Sequence, residues 1–394
     1  MKIKYILIII IFITLNISSI ELKYKFRIGE VLYIETNSVI RQIVNGQYNG
    51  ETKIKEVSYI TTKEILKDST LLESKIYTLM QENIFNQKIY KVENNYKYKY
   101  QKTIFGKTKK LEFNEGYHDF PQFDNRDIKI GDSWIASSFY NVRFFGKKSP
   151  RLRLDFDIVY RLGDIRNIDG KSIAIISAKA IFSYERNKEI FKIFNIIKFV
   201  GFNDFLIEFN IDDGRVKRIE EIFDYTYILQ DNTVIEASGN SISEYEVPPP
   251  IKKEEVDKIK ENIERDKDNN TKIEIKDDKS LSISLENIRF KPDSAILTEV
   301  EEKRLDKIAL ILENYRSNHI IIIGHTADIG KPKQQQILSE ERAKSVLNYL
   351  VQKHKFNPEL LSYEGKGGTE PIGDNSTEEG RSKNRRVEII VLPK

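Results

Sequence analysis

The segment that most constrains this chain is HIIIIGHT, His319 to Thr326. Four consecutive isoleucines cannot alternate between core and water, so they read as a strand whose two faces are both covered. Strands and helices alternate around it. LSISLENIRF, Leu281 to Phe290, is expected as a strand. Thr298 followed by Glu301 is a capping box, and it opens a helix with Leu305, Ile308, Ala309 and Leu312 on its apolar face. Ser339 is placed to cap the next helix, which buries Ala343, Val346, Leu347 and Leu350. LLSYEGKG and RRVEIIVL supply the last two strands. Residues 277–394 are therefore expected as an α/β sandwich of order βαβαββ, with helices on one face.

Upstream, residues 20–245 follow a period of two instead. RLRLDFDIVYRL sets Leu152, Leu154, Phe156 and Ile158 on one face, and FLIEFNIDDGRVKRI does the same before turning at Asp213-Gly214. Asn45-Gly46 and Asn49-Gly50 lie so close together that only one is expected to close a hairpin. The fold class is thus a multidomain α+β chain whose antiparallel β-rich region, on the order of ten strands and open to division into two subdomains, precedes the sandwich. A soluble sandwich or half-barrel competes with a membrane-spanning barrel for this region. Uneven strand lengths, with Lys53, Lys55 and Glu56 interrupting both faces, favour the former. IFKIFNIIKFVGF, Ile190 to Phe202, reads as a core element with outward lysines, against a lipid- or partner-facing alternative. Between the two regions, residues 246–276 carry Pro248 to Pro250 and then dense alternating charge. They are expected as a linker, partly helical, with a thin stripe of Val256, Ile259 and Ile263.

The first 19 residues have signal-peptide anatomy: Lys2 and Lys4, an apolar run from Tyr5 to Leu15, then Asn16-Ile17-Ser18-Ser19. The run is too short for a stable span, although an uncleaved anchor is the alternative. The chain has no cysteine, which excludes a lipid-anchored cysteine, disulfides, thiolate catalysis and Cys-based zinc sites. A periplasmic or outer-membrane location without lipidation is expected. With 64 basic and 60 acidic residues the net charge of +4 offers no concentrated field for nucleic acid. His118, His319, His325 and His354 are not spaced for a metal, and GKGGT lacks the phosphate-loop spacing. Asp212-Asp213 is turn chemistry, and no acid–base or nucleophile constellation stands out. No cofactor is expected, and an enzyme is the poorer hypothesis.

Several ordered blocks carry a resemblance: IRFKPDSAIL, IIIIGHTADIG, LSEERAKSVLNYL, LLSYEGKGGTEPI and NSTEEGRSKNRRVEIIV. Together they resemble the C-terminal peptidoglycan-binding domain of the OmpA/MotB/Pal family, over less than a third of the chain. Spirochaetal OmpA-like envelope proteins, with a soluble β region ahead of this domain, are the nearer comparison. The resemblance implies non-covalent binding of the peptidoglycan stem peptide, whose diamino acid is held at both charged ends. An Asp after GHT takes the amine, and an Arg at the start of the following helix takes the carboxylate. The implied residues here are Thr326 on the rim, Asp328, Gln335, Arg342, and Asn384, Arg385 and Arg386. One of the last two arginines is expected to face the pocket and the other solvent. Ala327 stands at the family's aspartate position, with the carboxylate one residue later, and Gln335 replaces the family's asparagine. The expected role is a tether between the cell wall and the outer membrane or an envelope protein that meets the β region. The alternatives are an OmpA-like fold with a degenerate pocket serving as an interaction module, and a wall-acting enzyme with its site in the β region.

Overall fold

The computed structural model describes residues 19–84, 87–111, 116–142, 152–185, 195–265, 270–276, 279–291 and 294–394. All but the last residue of the expected signal peptide lies outside them, as do Arg151 and residues 190–194 of the apolar segment.

The upstream alternation becomes twelve strands: β1 (Val31–Val44), β2 (Gln47–Ile65), β3 (Thr70–Ile84), β4 (Gln87–Lys102), β5 (Thr108–Leu111), β6 (Gly116–His118), β7 (Ser133–Val142), β8 (Leu152–Ile168), β9 (Lys171–Glu185), β10 (Ile196–Asn210), β11 (Arg215–Leu229) and β12 (Val234–Glu246). Antiparallel hairpins join neighbours, and β12 returns to pair with β1, so two runs of strands fuse into one sheet. Asn45 and Gly46 close the first hairpin with φ of 50° and 77°, the pair of positive angles that a tight two-residue turn needs. Asn49-Gly50 falls inside β2 beside a bulge.

The sheet rolls until its edges meet. The Thr108 amide donates to Asp119 Oδ1 (2.5 Å) and the Phe123 amide to the Phe105 carbonyl (2.8 Å). An extended strap over residues 19–29 crosses one end, where the Tyr24 amide bonds the Ile104 carbonyl (2.7 Å) and the Lys25 amide bonds that of Gly214 (3.0 Å). Leu154, Phe156, Ile158, Phe205, Ile207 and Phe209 point inward to a shared core. The outward row of β8 exposes Arg153, Asp155, Asp157 and Arg161 beside Val159. A lipid-facing Arg or Lys at mid-bilayer depth costs about 2–4 kcal/mol, which weighs against a lipid-facing role for this row. In the described part of the apolar segment, Ile196 and Phe199 are buried while Lys198 turns out to Glu185 (3.0 Å), as a core element requires.

The stretch expected as a linker holds α1 (Lys253–Arg265) and β13 (Thr271–Ile275). Its thin apolar stripe suffices to dock it: Val256 and Ile259 enter the C-terminal core, and β13 pairs with β14 (Leu281–Glu286). Beyond lie α2 (Glu299–Leu312), β15 (Ile320–Gly324), α3 (Pro332–His354), β16 (Leu361–Gly365), α4 (Glu378–Asn384) and β17 (Arg386–Val391). The short α4 is an addition to the expected order, set between the last two strands. The sheet order is β13-β14-β17-β15-β16, with β15 and β16 parallel and the other pairs antiparallel. Thr298 is the N-cap of α2, but its side chain makes no cap bond, and Glu301 turns inward towards Arg304 (3.4 Å).

The isoleucine run resolves as two faces. Ile320 and Ile322 pack beneath α2 and α3, in one core with Ile308, Leu347 and Leu350. Ile321, with Ile390 and Leu392, packs against Tyr33, Val57, Tyr59, Tyr77, Leu79 and Val92 of the β region. The sheets also join edge to edge, since β16 runs parallel to β4 through Ser362–Tyr90 and Tyr363–Lys91. Tyr363 donates to Glu82 (2.6 Å), Lys91 pairs with Glu340 (2.9 Å), and Asn95 donates to Glu364 (2.9 Å) along this seam.

Ile321 and Ile322 are both 0% exposed. Each truncation to Ala is expected to cost about 2–5 kcal/mol in denaturant unfolding of the whole chain. A cost under about 1 kcal/mol for Ile321→Ala alone would mean that the face towards the β region is open to water.

Candidate functional site

β15 stops at Gly324, and the backbone leaves the sheet as a loop that runs beside the first turns of α3. Glycines permit this closeness. A Cβ on Gly324 would collide with the Ser339 carbonyl, and one on Gly365 would sit 2.5 Å from Ser339 Oγ. Any larger residue would push α3 off the strand ends. Ser339 is thus an interior helix residue rather than a cap. It is 0% exposed, donates to the Gln336 carbonyl (2.8 Å) and accepts from the Gly367 amide (2.9 Å). The helix starts seven residues earlier, with Lys331 as N-cap and Pro332 at its first position, where a missing N–H costs nothing.

This moves Arg342 from the first turn to the middle of α3. A cation at a helix start would be disfavoured by the helix dipole, and mid-helix Arg342 escapes that penalty. Half-buried, it lays its guanidinium over the Phe290 ring at 5.0 Å. Gln335, Ser339 and Arg342 share one helix face, and about 10 Å of helix separates the first from the last.

The loop after β15 is tied on all sides. The Thr326 amide donates to the Gly367 carbonyl (2.9 Å), while Thr326 Oγ1 is buried with no protein partner among the described residues. Ala327 is buried, and Asp328 is exposed. Because the strand has ended, Asp328 is not bound by strand alternation. Its amide donates to Asn375 Oδ1 (3.0 Å), and its carboxylate accepts from Gln335 Nε2 (3.1 Å). Gln335 also donates to the Gly330 carbonyl (3.2 Å) and accepts from the Gly368 amide (3.1 Å). With both ends of its amide engaged, Gln335 ties the loop after β15 to the loop after β16.

Asn384, 0% exposed, is a second clamp. Its Oδ1 accepts from the amides of Ile372 (2.7 Å) and Gly373 (2.8 Å), and its Nδ2 donates to the Gly373 carbonyl (2.8 Å) and Asn375 Oδ1 (2.9 Å). Asn375 thereby links Asn384 to Asp328. Asn384 closes α4 and Arg385 caps it, so the NRR block is not a run of strand neighbours. Arg385 pairs with Glu378 (2.6 Å). Arg386, 3% exposed, lies on the sheet face away from the helices, where it grips Glu388 (2.7 Å) and the Glu370 carbonyl (3.0 Å). Neither guanidinium is brought to Arg342 by these contacts.

Phe290 and Asn375 belong to the site and were not singled out in the sequence. Phe290 stands at the end of an apolar block, and Asn375 among turn residues. His325 is buried at the strand end. Burial, then Arg386 and Lys366, hold its pKa down at about 3, so it is neutral and Glu388 answers to Arg386 instead. Burial likewise lowers His319 to about 3, with Lys55 adding to the shift and Glu35 opposing it.

Residues 289–385 match the OmpA family. Outer membrane protein A of Bordetella avium is 40% identical over 103 residues, which are 26% of this chain and 53% of that protein. Peptidoglycan-binding protein ArfA of Mycobacterium bovis is 36% identical over 104 residues, 26% of this chain and 32% of that protein. An outer membrane protein structure from Borrelia burgdorferi B31 is 32% identical, covers 31% of this chain and 96% of that chain, and has a TM-score of 0.26. The chain spans about half or less of the length of the curated relatives it matches.

Two outcomes are expected. Asn384→Ala should cost about 1–3 kcal/mol and speed hydrogen exchange at the Ile372 and Gly373 amides, with β15 amides unaffected. For acid, the sign follows from His319 and His325, both neutral when folded down to about 3. Unfolded histidine protonates at about 6.5, so stability is full above that pH and falls as pH drops from about 6.5 towards 3. Tm measured across this range should decline, and His325→Gln should flatten part of the decline.

Proposed function

We propose, from a chain that carries an OmpA family domain at its C-terminus, that the loops after β15 and β16 and the inner face of α3 bind the stem peptide of peptidoglycan without catalysis. The observation that carries this reading is the pairing of an exposed carboxylate, Asp328, held from behind by Gln335, with a guanidinium, Arg342, about 10 Å along the same helix. A diamino acid offers an amine to the first and a carboxylate to the second. Phe290 lies under Arg342 and limits its rotamers, which holds the planar guanidinium in one orientation on this face. Thr326 Oγ1 is buried beside this loop with no protein partner among the described residues. Gln335, Asn384 and Asn375 act as positioning residues, and Arg385 and Arg386 serve the scaffold.

The relatives named for peptidoglycan binding support a wall-binding envelope role. On this reading the exported chain sits in the periplasm or at the outer membrane and ties the wall to a partner of its β region. Residues 277–394, with α1 and β13 docked beneath, form the wall-binding unit. A second reading rests on Ala327: its buried methyl group supplies no charge, so the fold would serve as an interaction module instead.

The test is co-sedimentation of the chain from residue 19 onward with purified sacculi. Wild type should pellet, and Arg342→Ala and Asp328→Ala should each weaken binding by about ten- to a hundredfold, the loss of one charge-assisted contact. Wild type that stays in the supernatant would sink the wall-binding reading and favour the interaction module.

A further inference from the structure

The rolled β region encloses a cavity of about 210 Å³ at its strapped end, more room than the ~150 Å³ of an apolar cavity that takes up benzene. Its wall is assembled from distant parts of the chain. Tyr24 and Phe26 come from the strap, Leu32 and Ile34 from β1, and Tyr100 from β4, with Phe120 at the sheet closure. These side chains make one part of the wall apolar and aromatic, beside a charged and polar remainder. Tyr24 and Phe26 stack on each other at 5.8 Å within this wall.

Charged groups on the wall are mostly answered from within. Arg215 pairs with Glu30 (2.5 Å), and the Asp119 carboxylate accepts the Thr108 amide (2.5 Å). Deeper in the roll, Glu221 accepts from Tyr117 (2.8 Å) and Ser241 (2.8 Å). Two lysines are the exceptions: the exposed Lys25, whose ammonium donates only to the Ile211 (3.3 Å) and Asp212 (2.8 Å) carbonyls among the described residues, and the half-buried Lys102. The Lys102 ammonium contacts the Phe120 carbonyl at 3.4 Å and lies 4.5 Å from the centre of the Tyr24 ring, and no carboxylate pairs with it among the described residues. Burial pulls its pKa down to about 8, against a weaker upward pull from Asp119. A lysine placed so is expensive for a fold that uses it only for packing, since methionine would fill the same space with no charge to desolvate.

We propose that this cavity binds an amphiphile with an aliphatic chain and a carboxylate head, the chain lying between the strap and β1–β4 and the head on Lys102. Lys25 is exposed and Arg215 is paired with Glu30, so the half-buried Lys102 is left to match one negative charge, which favours a carboxylate over a doubly charged phosphate monoester. The aromatic wall takes the chain. The proposal is independent of wall binding, because the cavity lies in the β region and shares no residue with the loops around Asp328.

Calorimetric titration of the chain from residue 19 onward with decanoate, decanol and decyl phosphate tests it. Wild type should bind decanoate at least tenfold more tightly than decanol, with decyl phosphate between them. Lys102→Met should lose that tenfold preference and leave decanol binding unchanged, with Tm equal or higher. Ile34→Trp, which fills the cavity, should abolish both. Absence of decanoate binding in wild type would overturn the proposal. So would equal weakening of decanoate and decanol in Lys102→Met, or undiminished binding in Ile34→Trp.

Discussion

A sheet that is apolar on both faces must be covered twice, and this single constraint organises the C-terminal half of the molecule. α2 and α3 cover one side through Leu305, Ile308, Val346 and Leu347. Among the described residues no helix covers the patch on the other side, where Ile321, Ile390 and Leu392 would meet water. Instead β1–β4 press their Tyr33, Val57, Tyr59 and Tyr77 against them. Those four strands consequently have one face towards the C-terminal sheet and one towards the interior of the roll. The hydrogen-bonded seam between β4 and β16 follows from that docking.

The candidate site depends on the same arrangement one level up. With β15 and β16 fixed, Gly324 and Gly365 bring the strand ends against α3, and the loops that leave them reach Gln335 and Ser339. Asp328 is then oriented from two directions, by Gln335 on the helix and Asn375 on the neighbouring loop. Arg342 is oriented separately, by Phe290. The displaced carboxylate is therefore as well supported as a strand-borne one, although it reaches its place by a turn. What the chain lacks at Ala327 it does not replace at the same atom position, and the two readings of the site differ on that point alone.

Much of this is legible along the sequence, because periodicity is a local signal. The isoleucine run announces two covered faces, Thr298 marks the start of α2, and Asn45-Gly46 marks a hairpin. The start of α3 is misplaced for an equally local reason. Ser339 sits three residues before Arg342 in a pattern that resembles a cap, whereas Pro332 at the true start is preceded by a lysine with no capping side chain. The docking of α1 is hidden because Val256 and Ile259 are few among many charges, and only the finished core shows that two are enough. The roles of Gln335 and Asn384 are hidden too. An amide looks the same in sequence whether it faces a ligand or holds loops in place, and partners such as Gly368 and Ile372 are known only once the chain has folded. The OmpA family match covers residues 289–385 and is silent on residues 20–245.

The seam between β4 and β16 has a mechanical consequence. A force applied at the loop around Asp328 enters β15 along its axis and passes sideways to β16 and β17. From β16 it crosses to β4 along strands that run side by side, so the ladder is sheared as a block and not peeled open one bond at a time. The Lys91–Glu340 ion pair and the Tyr363–Glu82 contact lie across the same plane and resist sliding. A load on the C-terminal sheet is therefore carried into the β region through the seam itself.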